Sequence, residues 1–156
     1  MIEPLWWLTR DGDDYARELF EKHYSRIRYA DGRKSKKIVG PGEYILLRTW
    51  EADAIFAWRR FVDDCIDPRT GERQRGVNCA IFRNESRHQS SALVRQADAI
   101  ADYAWPGERH YTYVNAEKIK SVNPGFCFIS AGWRRCGKTK GGLIILEKDP
   151  GPGAGP

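Results

Sequence analysis

The chain reads as one domain of α/β (α+β) class, a mixed and mostly antiparallel sheet with helices packed against it. Three observations predict this. The length, 156 residues, is that of a single ordinary domain. Neither a repeat nor a domain-sized linker interrupts it. Runs rich in β-formers surround two late helical segments, an order that calls for a sheet with helices on it.

Taken from the N-terminus, Asp11 to Asp14 followed by YARELFEKHY predicts an acid-capped helix, with Tyr15, Leu19, Phe20 and His23 at helical spacing. GRKSKK is a solvated loop, punctuated by Pro41-Gly42 before the strand YILLRTW. Asp53 opens AIFAWRRFV, and the short gap makes the two runs a hairpin. After the charged loop DDCIDPRTGERQRG, the run VNCAIFRNE alternates little and reads as a strand buried on both faces. Ser90 and Ser91 can cap SALVRQADAIADYAW, where Leu93, Ala97, Ile100, Ala101 and Ala104 form one stripe. WPG ends that helix, and HYTYVN is the next strand. Asn123 as N-cap and Pro124 in the first helical position predict a short helix in PGFCFISA, with Gly132 as its left-handed stop. LIILEK is the final strand. The domain then spans 1–148, and 149–156 is a disordered Gly/Pro tail.

Composition narrows the function classes. The chain is 41% hydrophobic and 30% charged, and its apolar runs are far too short to cross a membrane. The N-terminus lacks a basic region and a cleavage signature, so a cytoplasmic protein is expected, with its four dispersed cysteines reduced. Three scattered histidines do not approach zinc-finger spacing. Lys plus Arg exceed Asp plus Glu by 26 to 21, and the excess lies in clusters such as Arg83-Arg87 and Arg134-Arg135-Lys138-Lys140. Basic loops converging on one face would suit DNA or RNA.

Residues 132–139, GWRRCGKT, match the phosphate-cradling pattern G-x-x-x-x-G-K-[ST]. A working P-loop follows a buried strand and opens a long helix, so that its amides and the helix N-terminus face the phosphates. Here the segment follows a helix and precedes a strand, with bulky Trp, Arg, Arg and Cys in the variable positions. The match is poor evidence for nucleotide hydrolysis. Gly137 reads instead as part of a bend before the last strand, and the Arg and Lys residues as a basic rim.

A short helix of small and aromatic residues, then AGWRR, a Gly-containing turn and an apolar strand, resembles the last third of the GNAT acyltransferase fold. That family binds acetyl-CoA through a Gly-rich turn between the fourth strand and the long helix. This chain has FRNESRHQSSALVRQA there, with no glycine, which puts acetyl-CoA binding in doubt. A group within the fold that lacks the turn is the Mom family of phage DNA-modification proteins. The resemblance implies modification of the N6 amine of adenine in DNA, an anti-restriction role, and a phage- or prophage-encoded protein in a bacterial cytoplasm.

It also implies site residues. His23-Tyr24 within EKHYSR matches the family's His-Tyr pair, and Ser90 the serine before the long helix. Asn115 stands where the family has an Asp, and Phe128 where it has a Tyr. In the family the His, Asp and Tyr are implicated in iron binding, so iron at His23 follows by resemblance alone; an amide and a phenyl in the other two places make a poor set.

On their own chemistry, His23 can deprotonate an attacking amine and Tyr24 can protonate a leaving group, although a helix-end pair packed on the sheet is the plain alternative. Ser90 and Ser91 can bind a substrate phosphate or simply cap. Arg83 is a candidate anion clamp and Glu85 a candidate base, at the point where a GNAT sheet splays to admit its donor. Tyr111, Tyr113 and Asn115 alternate along one strand face, lining a cleft or packing in the core. Cys127 lies near the leaving-group position, with an inert buried thiol as the plain reading. Arg134, Arg135 and Lys138 complete the expected DNA-binding rim. An exposed Trp6-Trp7 pair could stack on a base. The sequence leaves open an acyl or aminoacyl donor, transfer to a protein or small amine, a non-catalytic binding module on the same scaffold, and a homodimer.

Overall fold

The computed structural model describes residues 3–20, 39, 42–61, 74–117 and 125–150. Its elements are β1 (Trp7–Thr9), α1 (Asp14–Phe20), β2 (Glu43–Arg48), β3 (Ala54–Arg60), β4 (Val77–Asn84), α2 (Ser90–Ala104), β5 (His110–Val114), α3 (Phe126–Ser130), β6 (Arg134–Lys138) and β7 (Ile144–Lys148). The seven strands form one sheet in the order β1-β2-β3-β4-β5-β7-β6. Every neighbouring pair is antiparallel except β4 and β5, which run parallel. The α+β class is thus as the sequence predicts. No described helix is long and apolar enough to cross a membrane.

Strand alternation divides the core between the two sheet faces. Phe56, Trp58, Val77 and Cys79 point to one face, where they pack with Leu93, Val94, Ala97 and Ala101 of α2 and with Phe128 of α3. Ile55, Ala57, Ala80 and Ile81 serve the opposite face and pack with Ala16, Leu19 and Phe20 of α1. The same alternation splits the Trp6-Trp7 pair. Trp6 is buried and its indole N–H donates to the Leu93 carbonyl at 2.8 Å, whereas Trp7 is 53% exposed.

Helix starts differ from the sequence reading in detail. Asp13 caps α1, its Oδ1 accepting from the amides of Tyr15 (2.9 Å) and Ala16 (3.3 Å). Ser90 and Ser91 do not cap α2: Gln89 is its N-cap, without a side-chain bond, and the two serines lie in the first turn. Helix α3 begins at Phe126 with Gly125 as N-cap, so it starts later than the Asn123-Pro124 signal, whose residues lie outside those described. Its stop is the one expected, Gly132 at φ 98°.

The GWRRCGKT stretch holds two elements the sequence did not separate. Trp133 is 3% exposed and is an anchor of the core. Arg134–Lys138 is a strand, paired with β7, and Gly137 sits inside it beside a register shift at Cys136 instead of in a bend. The turn comes later: Thr139 N–H donates to the Leu143 carbonyl at 2.9 Å, Gly142 N–H to the Thr139 carbonyl at 3.0 Å. All five β6 residues are exposed, so no hydrophobic alternation marks this strand; main-chain pairing alone makes it one. A hairpin of this kind has no helix N-terminus to face a phosphate, which disposes of the P-loop match.

Candidate functional site

The site candidate is the place where the sheet opens. Strands β4 and β5 pair only through Val77↔His110, Asn78↔Tyr111 and Cys79↔Thr112. Beyond that point β4 continues to Asn84 and β5 to Val114 without pairing to each other. The Thr112 hydroxyl donates to the Cys79 carbonyl at 2.9 Å, at the last rung. On its other side β4 slips register against β3 between Cys79 and Ile81, a bulge that turns the strand at the same level.

At the open end, β4 runs into a six-sided latch of polar contacts before α2. Asn84 is its hub. Its Nδ2 donates to the His88 carbonyl (2.8 Å) and to the Ser90 hydroxyl (2.9 Å). Its Oδ1 accepts from the Ser86 amide (2.9 Å) and the Ser86 hydroxyl (2.5 Å), and that hydroxyl accepts from the His88 amide at 3.1 Å. The Glu85 amide donates to the Asp53 carbonyl at 2.7 Å, joining this loop to the β2–β3 turn. Asn and Ser side chains close turns in this way because their short oxygen reaches an amide two residues on. Two amides that could have faced a pyrophosphate, those of Ser86 and His88, are therefore occupied.

The sequence-predicted residues fall into groups. Arg83, Glu85, Ser90 and Ser91 are brought together around Asn84; Arg83 Nε lies 3.4 Å from Glu85 Oε2, and Ser91 is buried. Asn115 lies just past β5 and closes a turn, its Oδ1 accepting from the Glu117 amide at 3.1 Å. Tyr111 and Tyr113 share a face, as expected, but both are buried, edge-on to one another at 5.7 Å and packed with Ile145. Of the basic rim, Lys138 is in register, through Ile144, with Val114 at the open end, whereas Arg134 is in register, through Glu147, with Tyr111 at the closed end. Arg134 is also committed, to Glu147 at 2.7 Å and Asp149 at 3.0 Å. His23 and Tyr24 lie outside the described residues.

No family model, curated protein or solved structure matches the chain. The residues themselves therefore carry the argument.

Iron does not fit the set that the resemblance implies. Phe128 packs at 5.8 Å from Phe82 and 4.9 Å from Trp133 in the core, and the Asn115 amide is spent on its turn. Among the described residues no three His, Cys, Asp or Glu side chains are grouped to hold a metal. Burial pushes the Cys127 thiol up to about 11, which works against a thiolate nucleophile there.

Sequence reasoning missed the buried polar network under the closed end. Asp98, on α2 and 1% exposed, faces the sheet beside the stripe of Leu93, Ala97 and Ala101. Its Oδ1 lies 2.7 Å from His110 Nδ1; its Oδ2 accepts from Trp133 Nε1 at 2.9 Å and Lys148 Nζ at 3.3 Å. One turn on, Asp102 Oδ1 lies 3.2 Å from His110 Nε2. A single buried carboxylate thus ties α2 to β5, to β7 and to the segment after α3. The available signal was the spacing of Asp98 and Asp102, four apart on one helix face and opposite a strand-opening histidine.

Proposed function

We propose that the chain is a GNAT-like transferase that modifies nucleic acid, with the N6 amine of adenine in DNA as its acceptor. The observation that carries this reading is the parallel β4–β5 pair, which opens beyond Cys79 and Thr112 directly ahead of the 15-residue helix α2. An opening between central strands, floored by a rigid sheet, lets a donor and an acceptor meet from its two sides. Lys138 at the open end and the exposed Arg87 on the β4–α2 loop lend the rim positive charge. The occupied, glycine-free loop argues for a donor other than an ordinary acyl-CoA.

In this reading His23 takes the proton from the attacking amine and Tyr24 supplies one to the leaving group. Asn84 keeps the loop in place, and Ser90, held by Asn84 at 2.9 Å, presents the start of α2. Nucleoside mass spectrometry of plasmid DNA co-expressed with the protein tests it: an added mass on deoxyadenosine is expected, and its absence with folded protein in the cell counts against it.

The latched loop favours one further reading, a non-catalytic nucleic-acid-binding module on the same scaffold. His23→Ala and Tyr24→Phe separate the two. The transferase loses its product while binding persists; the binding module has no product to lose.

A further inference from the structure

The first six residues of β4, VNCAIF, are apolar except for Asn78. Val77 and Cys79 on either side of it point to the α2 face, so alternation sends Asn78 to the opposite one. There it is 0% exposed, and neither its Nδ2 nor its Oδ1 has a hydrogen-bond partner among the described residues. Exchanging the oxygen and nitrogen of the amide changes nothing, because both ends are in the same position.

Register sets Arg59 on one side of Asn78 and Tyr111 on the other, both of them buried. Directly paired residues share a sheet face. Asparagine is the shortest of the three, so its amide sits below the level that its neighbours' tips can reach. Both neighbours are held by ring contacts. Arg59 lies over the Phe61 ring, 4.6 Å from its centroid, and Tyr111 is edge-on to Tyr113 with Arg109 5.1 Å from its own centroid. Asn78 therefore falls between two apolar groups, Ala57, Ala80 and Ile81 under α1 and Tyr113 with Ile145 beside it.

We propose that Asn78 is the base of a buried hydration site, where ordered water accepts from Nδ2 and donates to Oδ1 beneath Arg59 and Tyr111. A dry amide would give up its hydration for nothing in return, and buried water gathers at polar groups in that position. The chemistry selects water over an ion, since the amide is uncharged and offers donors and an acceptor together. The site lies one residue from the last β4–β5 rung and on the other face from Asp98, so the closed end has a polar tie on each side of the sheet. The inference does not depend on what the chain modifies.

Two magnetic resonance measurements on the full chain test it. In rotating-frame spectra the Asn78 side-chain amide protons should show a dipolar cross-peak to water, opposite in sign to chemical exchange. Relaxation dispersion of the water oxygen should lose at least one long-lived water in Asn78→Leu, with an unchanged circular dichroism spectrum. Asn78→Val, a strong strand former, replaces it if the leucine variant does not fold. An assigned Asn78 amide without the cross-peak overturns the site. An exchange-signed peak does so too, because it places the amide in bulk solvent. A dipolar peak with equal dispersion in wild type and variant traces the signal to a neighbouring side-chain proton and overturns the site as well. If neither variant folds, the wild-type cross-peak decides alone.

Discussion

The same two strands are built in opposite ways at their two ends. Where β4 and β5 begin, main-chain bonds join them, and the Asp98 network clamps α2 and β7 to His110 beneath. Where they finish they no longer pair with each other: β5 stays on β7, and β4 runs along β3 into the latch around Asn84. The closed end spends polar groups on rigidity, gathered on the buried Asp98. The open end keeps polar groups near the surface, in short local bonds that a ligand can exchange. A site of this kind needs both, because an opening stays open only if its far end cannot move.

The largest effect to be expected comes from breaking the closed end. Asp98→Ala removes the shared acceptor of His110, Trp133 and Lys148, leaving buried donors without a partner. It costs about 3–5 kcal/mol in chemical denaturation. A change below about 1 kcal/mol would mean that the network contributes little to the rigidity of that end. Gly76→Ala strikes the same end through the backbone. Gly76 has φ 106°, and a β-carbon there would collide with the Arg109 carbonyl, which accepts the Val77 amide at 2.8 Å. The expected cost is about 1–3 kcal/mol, read from the same denaturation curves.

The open end should respond the other way round, with small stability changes and large functional ones. Asn84→Ala costs about 1–2 kcal/mol for its part-buried bonds, yet frees the loop that carries Arg87 and leads into Ser90 at the start of α2. Modification of DNA should fall by far more than the loss of folded protein explains, a comparison made by quantifying the nucleoside product against soluble protein.

The smallest effect concerns acid. The hydrogen bond from Arg109 at 2.6 Å holds the Glu147 carboxyl below its ordinary value of 4.5, against a smaller upward push from burial. A depressed carboxylate stabilises the fold above its unfolded value and loses that contribution as pH falls through the folded one. Glu147→Gln should therefore flatten the acid side of a stability–pH profile below about pH 4.5 and leave its neutral-to-basic shape unchanged.

How much of this could be read in the sequence follows the same division. The strands with strong β-formers, the long helix and the Gly132 stop were legible because each is set by local pattern. Strand β6 was not, since Arg134–Lys138 has no apolar face and is a strand only because β7 pairs with it. Asp98 was passed over for a related reason. An acid on a helix reads as solvent-facing, and only the arrival of His110, Trp133 and Lys148 from distant elements makes its burial tolerable. At the site, Arg83, Glu85 and Ser90 were found as neighbours in sequence, but Asn84, which joins them, was read only as part of the run VNCAIFRNE and given no role. Trp50 was read only as the end of the strand YILLRTW, and only the β1–β2 register brings it beside Trp7.

The central claim is that the open end of the β4–β5 pair is where a nucleobase is modified. Mass spectrometry of deoxynucleosides from plasmid co-expressed with wild-type or Asn84→Ala protein addresses it most directly. The account predicts a new deoxyadenosine derivative with the wild type and a small fraction of it with the variant at equal soluble protein. No derivative with folded wild-type protein, or equal amounts from both, would contradict it.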